Sequence, residues 1–367
     1  MPRSSRNADP LAWSPYGRHT DRAPGTTLPA DRHGPDRNGT GRDGQYQGET
    51  YYGRPVVKRS HYGWLIATYL FVGGVAGAAQ IIATLADLLG GRRDRAVVRA
   101  GRYLALAGAL VSPALLIADL HVKSRWFNML RIFRRTSPMS IGSWTLAAFG
   151  TLSGLAAALQ LGADLFGHAG ARRVGRWLGV PAAGAGALMT VYTGTLLSAT
   201  SVPRWSVGYR LLAPLFGATA FSTAAAALSL LGQAGRAPWP ARRRVAWLGL
   251  VATVAQGMLL RALERRWDET GLSPDPDRPS SWPTGPSNMV KAGATAALAL
   301  QFVSLVGGRR WPWLSSLAAI LTLASGYGER AEIVFGGNRS ADRPELYFGL
   351  TRPGSAETTS EEVGAHR

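Results

Sequence analysis

The chain contains no cysteine among its 367 residues. This absence excludes disulfide bonds and iron–sulfur clusters held by the chain's own thiolates. Histidine is scarce as well, and none of the six histidines falls in the middle of a long apolar run. A haem inside a helical bundle needs axial ligands, usually histidines, that project into the core. We therefore expect neither a haem nor an iron–sulfur cluster in this chain, and no other bound metal.

Acidic residues are also few, with 22 Asp and Glu against 41 Lys and Arg, which gives a formal charge of +19. A nucleic-acid-binding protein would gather this charge on one folded surface. Here the arginines lie in short clusters between apolar runs, which is typical of residues that flank membrane spans. The composition therefore predicts a lipid membrane, and not a nucleic acid, as the partner of the chain.

Apolar residues make up 46% of the chain and are concentrated in blocks. A helix that crosses a bilayer needs about 20 predominantly apolar residues. This rule predicts an all-α integral membrane protein of the cytoplasmic membrane, with both termini on one side. Its eight predicted transmembrane helices lie near residues 62–89, 100–120, 141–163, 178–199, 208–231, 245–263, 289–307 and 311–328.

The segments outside the spans divide the chain into three parts. Residues 1–50 are rich in Arg, Asp, Gly and Pro without an apolar run, so we expect a disordered tail. Residues 51–345 form the predicted membrane domain, and residues 346–367 a polar C-terminal tail. Gly73 and Gly77 lie in the first span with the spacing of small residues at a helix–helix contact. A dinucleotide-binding loop is the alternative, but it would require a preceding strand.

One stretch, LLIADLHVKSRWFNMLRIFRRTSPMSIGSW at residues 115–144, combines several polar features at the end of a span. Asp119 and His121 end the second apolar run, and Ser137 and Pro138 open the third. Between them lies a basic and aromatic connector. Charged groups near lipid are costly and often functional. We expect Asp119 to relay protons and the connector to dock a partner protein through Arg125, Arg131, Arg134 and Arg135.

A quinone headgroup would fit the polar residues at these span ends. Its two carbonyl oxygens require hydrogen-bond donors, a route for protons and apolar walls. Tyr192 is a phenol inside the fourth span, while His61 and Trp64 stand at the mouth of the first. A tyrosine in a membrane helix can also be an interfacial belt residue.

Other polar residues near span ends have simpler interpretations. Asp87 and Asp164 are expected to reach toward the headgroup region, although they could also form part of a proton route. Arg204 and Trp205 have the composition of an interface anchor. Glu329 and Glu332 flank the end of the eighth span. Arginines crowd the first, third, fifth and seventh loops most tightly, which slightly favours termini outside the cell.

The chain resembles the NrfD/polysulfide reductase membrane-subunit family, whose members are quinone-reactive partners in many molybdenum and multihaem oxidoreductases. The matching segments are YGWLIATYLFVGGVAGAA at 62–79, residues 113–144 with DLHVKSRWFNMLRIFRRTSPMSIGSW, YTGTLLSATSVPRW at 192–205, residues 214–217, and GYGERAEIVFGGNRSADRP near the C-terminus. Together they extend over nearly the whole membrane part.

The resemblance implies eight helices arranged as two four-helix bundles. It also implies a quinone site near the face on which an iron–sulfur subunit docks, with Tyr192, the start of helix one and Asp119 contributing. Family members can place a histidine directly before the helix-one tryptophan, where this chain has Gly63. His61 is then the substitute hydrogen-bonding residue.

We therefore expect a membrane anchor that passes electrons between menaquinone, an exchangeable substrate, and a ferredoxin-like iron–sulfur subunit linked to a catalytic molybdopterin subunit. One alternative is a structural anchor without quinone chemistry. Another is a secondary transporter, which would place its polar groups at the midplane of an inverted repeat.

Overall fold

The computed structural model describes residues 57–58, 60–272, 285–308, 311–342, 347 and 350. Within these ranges the regular elements are helices, and none is a strand. The all-α class is thereby confirmed. The tails expected over residues 1–50 and 346–367 fall outside the described residues, apart from residues 347 and 350.

Eight of the helices in the described ranges are long. They are α1 Trp64–Leu89, α2 Arg95–Ala118, α3 Pro138–Phe166, α4 Ala169–Ser198, α6 Tyr209–Ala234, α7 Trp239–Glu269, α8 Gly285–Gly307 and α9 Pro312–Ala341. A five-residue helix, α5 Pro203–Val207, joins α4 to α6. Two 3₁₀ segments, Arg92–Asp94 and Lys123–Leu130, lie in the connections before and after α2.

Seven of the described helical segments are long and apolar enough to cross a membrane. The helix that contains the predicted eighth span, α9, is not among these seven. It does not end near residue 328 as expected but runs on to Ala341, through Glu329, Arg330 and Glu332. These charged residues make the C-terminal part of α9 less hydrophobic than its N-terminal part. The count of eight spans therefore stays a prediction.

Helix α1 lies inside the fold and packs against α2, α4, α6 and α9. Glycine makes the closest of these contacts possible. A methyl group at Gly77 would lie 2.5 Å from the Gly186 carbonyl oxygen on α4, and one at Gly73 would lie 3.0 Å from Met189. The small-residue pattern of the first span is thus confirmed as a helix-packing contact.

Short connections between successive long helices make them antiparallel, so their ends alternate between two faces. We call the first the docking face: it contains the start of α1, the end of α2, the start of α3 and the end of α4. The second, the arginine face, contains the end of α1, the start of α2, the end of α3 and the start of α4. The residues expected to bind a quinone and a partner all lie at the docking face.

Candidate functional site

Two histidines that are distant in the sequence lie near each other at the docking face. His61 precedes α1 and His121 follows α2, and their ring centroids are 6.1 Å apart at an interplanar angle of 62°. Asp119, the residue that follows the end of α2, interacts electrostatically with both imidazoles. The structure therefore brings together His61 and Asp119, which the sequence singled out separately.

The environment of Asp119 favours its protonated form. Partial burial raises the pKa of its carboxyl group, and the nearby His61 and His121 oppose this shift. Burial also raises the pKa of Tyr62, and the Asp119 carboxylate adds to that shift. Since burial is the largest cause for Asp119, this carboxyl group holds a proton to a higher pH than an exposed aspartate does.

Tyr192 projects from the last third of α4 toward the start of α3. Its hydroxyl donates a 2.8 Å hydrogen bond to the main-chain carbonyl of Pro138. Gly142, one turn further along α3, leaves room for the phenol, because a methyl group there would overlap the Tyr192 ring and hydroxyl. With its proton directed to Pro138, the Tyr192 oxygen retains a lone pair that can accept a hydrogen bond.

Three tyrosine phenols, those of Tyr62, Tyr69 and Tyr192, interact with one another electrostatically. Tyr192 interacts electrostatically with Tyr69 and Tyr62, and Tyr69 is only 4% exposed. Tyr62 and Tyr69 were not among the site residues expected from the sequence. No local spacing could indicate this interaction, because Tyr62 precedes the start of α1 while Tyr69 lies within it.

The segment before α1 is held by residues of α5 and α9. The Tyr62 ring stacks on Trp205, with centroids 5.9 Å apart and an interplanar angle of 29°. The Asn338 side chain donates a 2.9 Å hydrogen bond to the Tyr62 carbonyl and also contacts the Ser60 hydroxyl. These contacts fix the position of His61, which lies between Ser60 and Tyr62.

Arg204 and Trp205 do not form the interface anchor that their composition indicated. Trp205 is fully buried and donates a 2.8 Å hydrogen bond to the Ile333 carbonyl. The Arg204 guanidinium lies 4.1 Å from the centroid of the Trp267 ring, and the Trp267 indole donates to the Arg204 carbonyl. The interpretation was wrong because both partners belong to distant helices, α7 and α9.

Trp64 is the predicted site residue that points away from the others. It is the first residue of α1 and is 62% exposed. Its carbonyl accepts a hydrogen bond from Thr68, whose hydroxyl also lies 3.2 Å from that of Tyr327. The structure therefore brings His61, Asp119 and Tyr192 into one region but places the Trp64 ring on the exterior.

The connector between α2 and α3 is exposed over residues 121–128. Large apolar side chains share this surface with the cations, among them Trp126 at 45%, Phe127 at 56% and Phe133 at 53% exposure. In the part of the chain that the structure describes, no ion pair involves the four predicted docking arginines, Arg125, Arg131, Arg134 and Arg135. Unpaired cations beside exposed aromatic rings can receive an acidic protein surface.

Two serines join this connector to α3. The Ser137 hydroxyl caps α3 by accepting a hydrogen bond from the Ser140 amide. The Ser140 hydroxyl accepts from the Arg134 amide and donates to the Ile132 carbonyl, at 3.0 and 3.1 Å. The predicted helix start at Ser137 and Pro138 is confirmed, and it also fixes the end of the connector.

The remaining acidic candidates lie in other places. Asp87 and Asp164 do not reach freely to headgroups: Asp87 pairs with Arg102, and Asp164 lies 3.8 Å from Arg99, both at the arginine face. Glu329 is buried on α9, where its carboxylate accepts hydrogen bonds from Thr219 and Gln256. Among the described residues no group of three or more His, Asp or Glu is placed to hold a metal ion.

Comparison with protein families gives a match over much of the chain. The profile of the NrfD-type family described as polysulfide reductase matches residues 49–267, which is more than half of the chain and includes His61, Asp119, the connector and Tyr192. No individual curated protein matches the sequence significantly.

Proposed function

The chain belongs to the polysulfide reductase family of the NrfD type, and on that premise we propose that it is the quinone-reactive subunit of a multisubunit oxidoreductase. Seven apolar helices and the family together make it a multi-pass integral membrane protein and a membrane subunit of an oxidoreductase. Menaquinone is the quinone that we propose as its exchangeable substrate.

The observation that carries this proposal is the convergence of proton-binding groups beneath an exposed basic connector. His61, Asp119 and His121 form one cluster, Tyr62 interacts electrostatically with Asp119, and the phenol of Tyr192 interacts in the same way with those of Tyr62 and Tyr69. Hydrogen-bond donors, hydrogen-bond acceptors and apolar walls thus occur together near one face. This combination suits a headgroup that loses or gains two protons.

The oxidation of a quinol releases two electrons and two protons and leaves a quinone. We propose that one quinol hydroxyl donates a hydrogen bond to the Tyr192 oxygen, whose own proton is directed to Pro138. The other hydroxyl would face His61. As the two electrons leave, Asp119 would accept the two protons in turn, the second after it has passed the first to water at the exposed mouth. For quinone reduction, these proton transfers run in the opposite direction.

The electrons leave through a partner protein in this proposal. A ferredoxin-like iron–sulfur subunit would dock on Arg125, Arg131, Arg134 and Arg135, and a catalytic molybdopterin subunit would lie beyond it. Direct transfer requires the headgroup to lie near the docking face. The hydrogen bonds from Tyr192 to Pro138 and from Ser140 to the connector support such proximity.

We extend the proposal to the architecture of residues 51–345. Helix α1 packs on α2 and α4, and α3 packs on α4, while α6 packs on α7 and α9, and α8 packs on α9. These contacts support two four-helix bundles, with α9 as the eighth span. We place the chain in the cytoplasmic membrane with the arginine face inside, because positive residues favour the inner side.

A photoreactive quinone provides the test of this binding site. The full chain in lipid nanodiscs would be irradiated with an azido-menaquinone analogue, and the labelled peptides would be mapped by mass spectrometry. We expect label in the peptides that contain His61, Asp119 or Tyr192, and competition by unlabelled menaquinone. Label confined to the lipid-facing surfaces of α7 and α8 would contradict the proposed site.

A structural anchor without quinone chemistry is the second candidate. One observation favours it: the Tyr192 hydroxyl already has a partner in Pro138, so this tyrosine has a structural role without any ligand. An anchor would dock the same partner through the connector. It would show no competed photolabelling and no quinone-dependent reduction of the partner.

A further inference from the structure

A large cavity opens at the arginine face, away from the proposed quinone site. Its volume is about 970 Å³, and residues from α2, α3, α4 and α6 line it together with Asp87 at the end of α1. Six arginines and two aspartates contribute to the lining, which leaves a clear excess of positive charge. The arginines are Arg95, Arg99, Arg102, Arg172, Arg173 and Arg176.

Protein contacts satisfy only part of this charge. Arg102, which is 1% exposed, donates to the Gln160 side chain, to Asp87 and to the Gly175 carbonyl. Its buried Nε atom has no hydrogen-bond partner among the described residues. Asp87 is shared with Arg176, so one carboxylate faces two guanidinium groups.

Asp164 is likewise neutralised by its surroundings. It accepts hydrogen bonds from Tyr103 and Gln160, and it lies 3.8 Å from Arg99. Neither acid therefore remains to pair with the other lining arginines. In the described part of the chain, Arg95 and Arg173 have no ion pair or hydrogen bond of their side chains.

Part of the cavity lining is apolar. Leu104 and Ala107 on α2 and Leu231 on α6 line it, and Leu231 is 43% exposed. Ala107 lies twelve residues after Arg95, a distance of about 18 Å along a helix at 1.5 Å per residue. That depth is comparable with one leaflet of a hydrocarbon core of about 30 Å.

We propose that this cavity binds an anionic phospholipid of the leaflet at the arginine face. The phosphate lies among the arginines, where Arg95 and Arg173 supply unpaired guanidinium groups, and one acyl chain follows Leu104, Ala107 and Leu231 between α2 and α6. A soluble anion would contact the arginines but leave the apolar part of the lining without a ligand. A zwitterionic lipid carries no net charge and would not balance the excess positive charge. This inference does not depend on quinone chemistry.

Native mass spectrometry of the full chain with phosphatidylglycerol and phosphatidylcholine tests the assignment. The variant Arg95→Gln/Arg173→Gln removes two cavity charges that no protein contact uses. The matched control, Arg92→Gln/Arg93→Gln, removes two exposed charges from the same face outside the cavity lining. We expect the cavity variant to weaken phosphatidylglycerol binding roughly 30-fold, and the control to bind as the unmodified chain does.

A second variant tests whether an acyl chain occupies the apolar cleft, and a competitor tests whether the ligand is a lipid and not free phosphate. Ala107→Trp retains every charge but narrows the apolar cleft, so it should weaken long-chain phosphatidylglycerol and leave a short-chain form unaffected. Millimolar inorganic phosphate should not displace the long-chain lipid. Equal loss of lipid in the cavity and control variants, equal binding of phosphatidylcholine, or full displacement by inorganic phosphate would each overturn the proposal.

Discussion

The Tyr192 hydroxyl donates a 2.8 Å hydrogen bond to the Pro138 carbonyl, and this bond joins the proposed headgroup site to the docking connector. Pro138 begins α3, and the adjacent Ser137 and Ser140 hold the end of the connector in place. A partner that moves the connector would therefore also move the acceptor of the Tyr192 proton. Hydrogen bonds therefore connect the proposed docking surface directly to the proposed quinone site.

Replacing Tyr192 with phenylalanine should lower quinol oxidation by the assembled complex at least tenfold while leaving assembly intact. The variant loses the proposed acceptor for the quinol hydroxyl, and loss of the Pro138 bond costs only about 1 kcal/mol in stability. Steady-state quinol oxidation in membranes, normalised to the amount of complex, measures the effect. Tyr209→Phe, an exposed phenol at the start of α6, serves as the control.

Replacing Gly142 with alanine should impair the same activity without changing a polar group. The added methyl group overlaps the Tyr192 phenol, so Tyr192 must move away from Pro138, and overpacking costs about 1–3 kcal/mol. Gly150→Ala on the same helix is the matched control, since its methyl group would meet nothing within 4 Å. Equal activity of the two variants would show that the position of Tyr192 is unimportant.

The rate of quinol oxidation should fall at low pH because Asp119 becomes protonated, which gives the pH profile an acidic limb. A group that accepts protons must be deprotonated, so activity should fall as the pH drops through the Asp119 pKa. Because burial raises that pKa, the fall should occur at a higher pH than for an exposed aspartate. Asp119→Asn should remove this limb, and Glu269→Gln, which alters an exposed acid paired with Arg266, should retain it.

Removing charge from the connector should weaken partner binding and not the membrane fold. Arg131→Gln/Arg134→Gln should slow association about tenfold at low salt, with a smaller difference at high salt because salt screens the attraction. Surface plasmon resonance with the purified partner subunit measures both rates. If Arg92→Gln/Arg93→Gln at the arginine face slowed association equally, the docking surface would not lie on the connector.

Replacing Trp205 with alanine should destabilise the protein by about 3–5 kcal/mol, the usual cost of deleting a buried aromatic side chain. The indole is fully buried, stacks on Tyr62 and donates to the Ile333 carbonyl. Thermal unfolding in detergent provides the measurement. Trp177→Ala, at a position that is 67% exposed, should change the melting temperature little.

Sequence patterns correctly predicted the structural elements that depend only on residues close to one another in the chain. The apolar blocks indicated the helices, and Ser137 with Pro138 indicated the start of α3, because capping depends on neighbouring residues. Asp119 and His61 were identified from their positions at span ends. That they share one cluster, with Asp119 interacting electrostatically with His61 and His121, follows from the packing of α1 on α2 and not from either segment alone.

Interactions between distant segments were not predictable from the sequence. By sequence, Arg204 and Trp205 look like an interfacial pair. In the structure they contact Trp267 of α7 and Ile333 of α9. By sequence, Asp87 looks like an acid that reaches toward lipid headgroups. In the structure it forms an ion pair with Arg102 of α2. In each case the expected role was wrong because a side chain or carbonyl more than ten residues away forms a hydrogen bond, ion pair or cation–π contact with the residue.

Reduction of the partner's iron–sulfur centres by menaquinol tests the central proposal most directly. Purified complex under anaerobic conditions would be mixed with menaquinol, and the reduced clusters would be followed by electron paramagnetic resonance. The proposal predicts rapid reduction in the unmodified complex, strongly slowed reduction in Tyr192→Phe, and unchanged reduction in Tyr209→Phe. Clusters that stay oxidised in the intact complex, yet are reduced by dithionite, would contradict quinone chemistry in this chain and leave it a structural anchor.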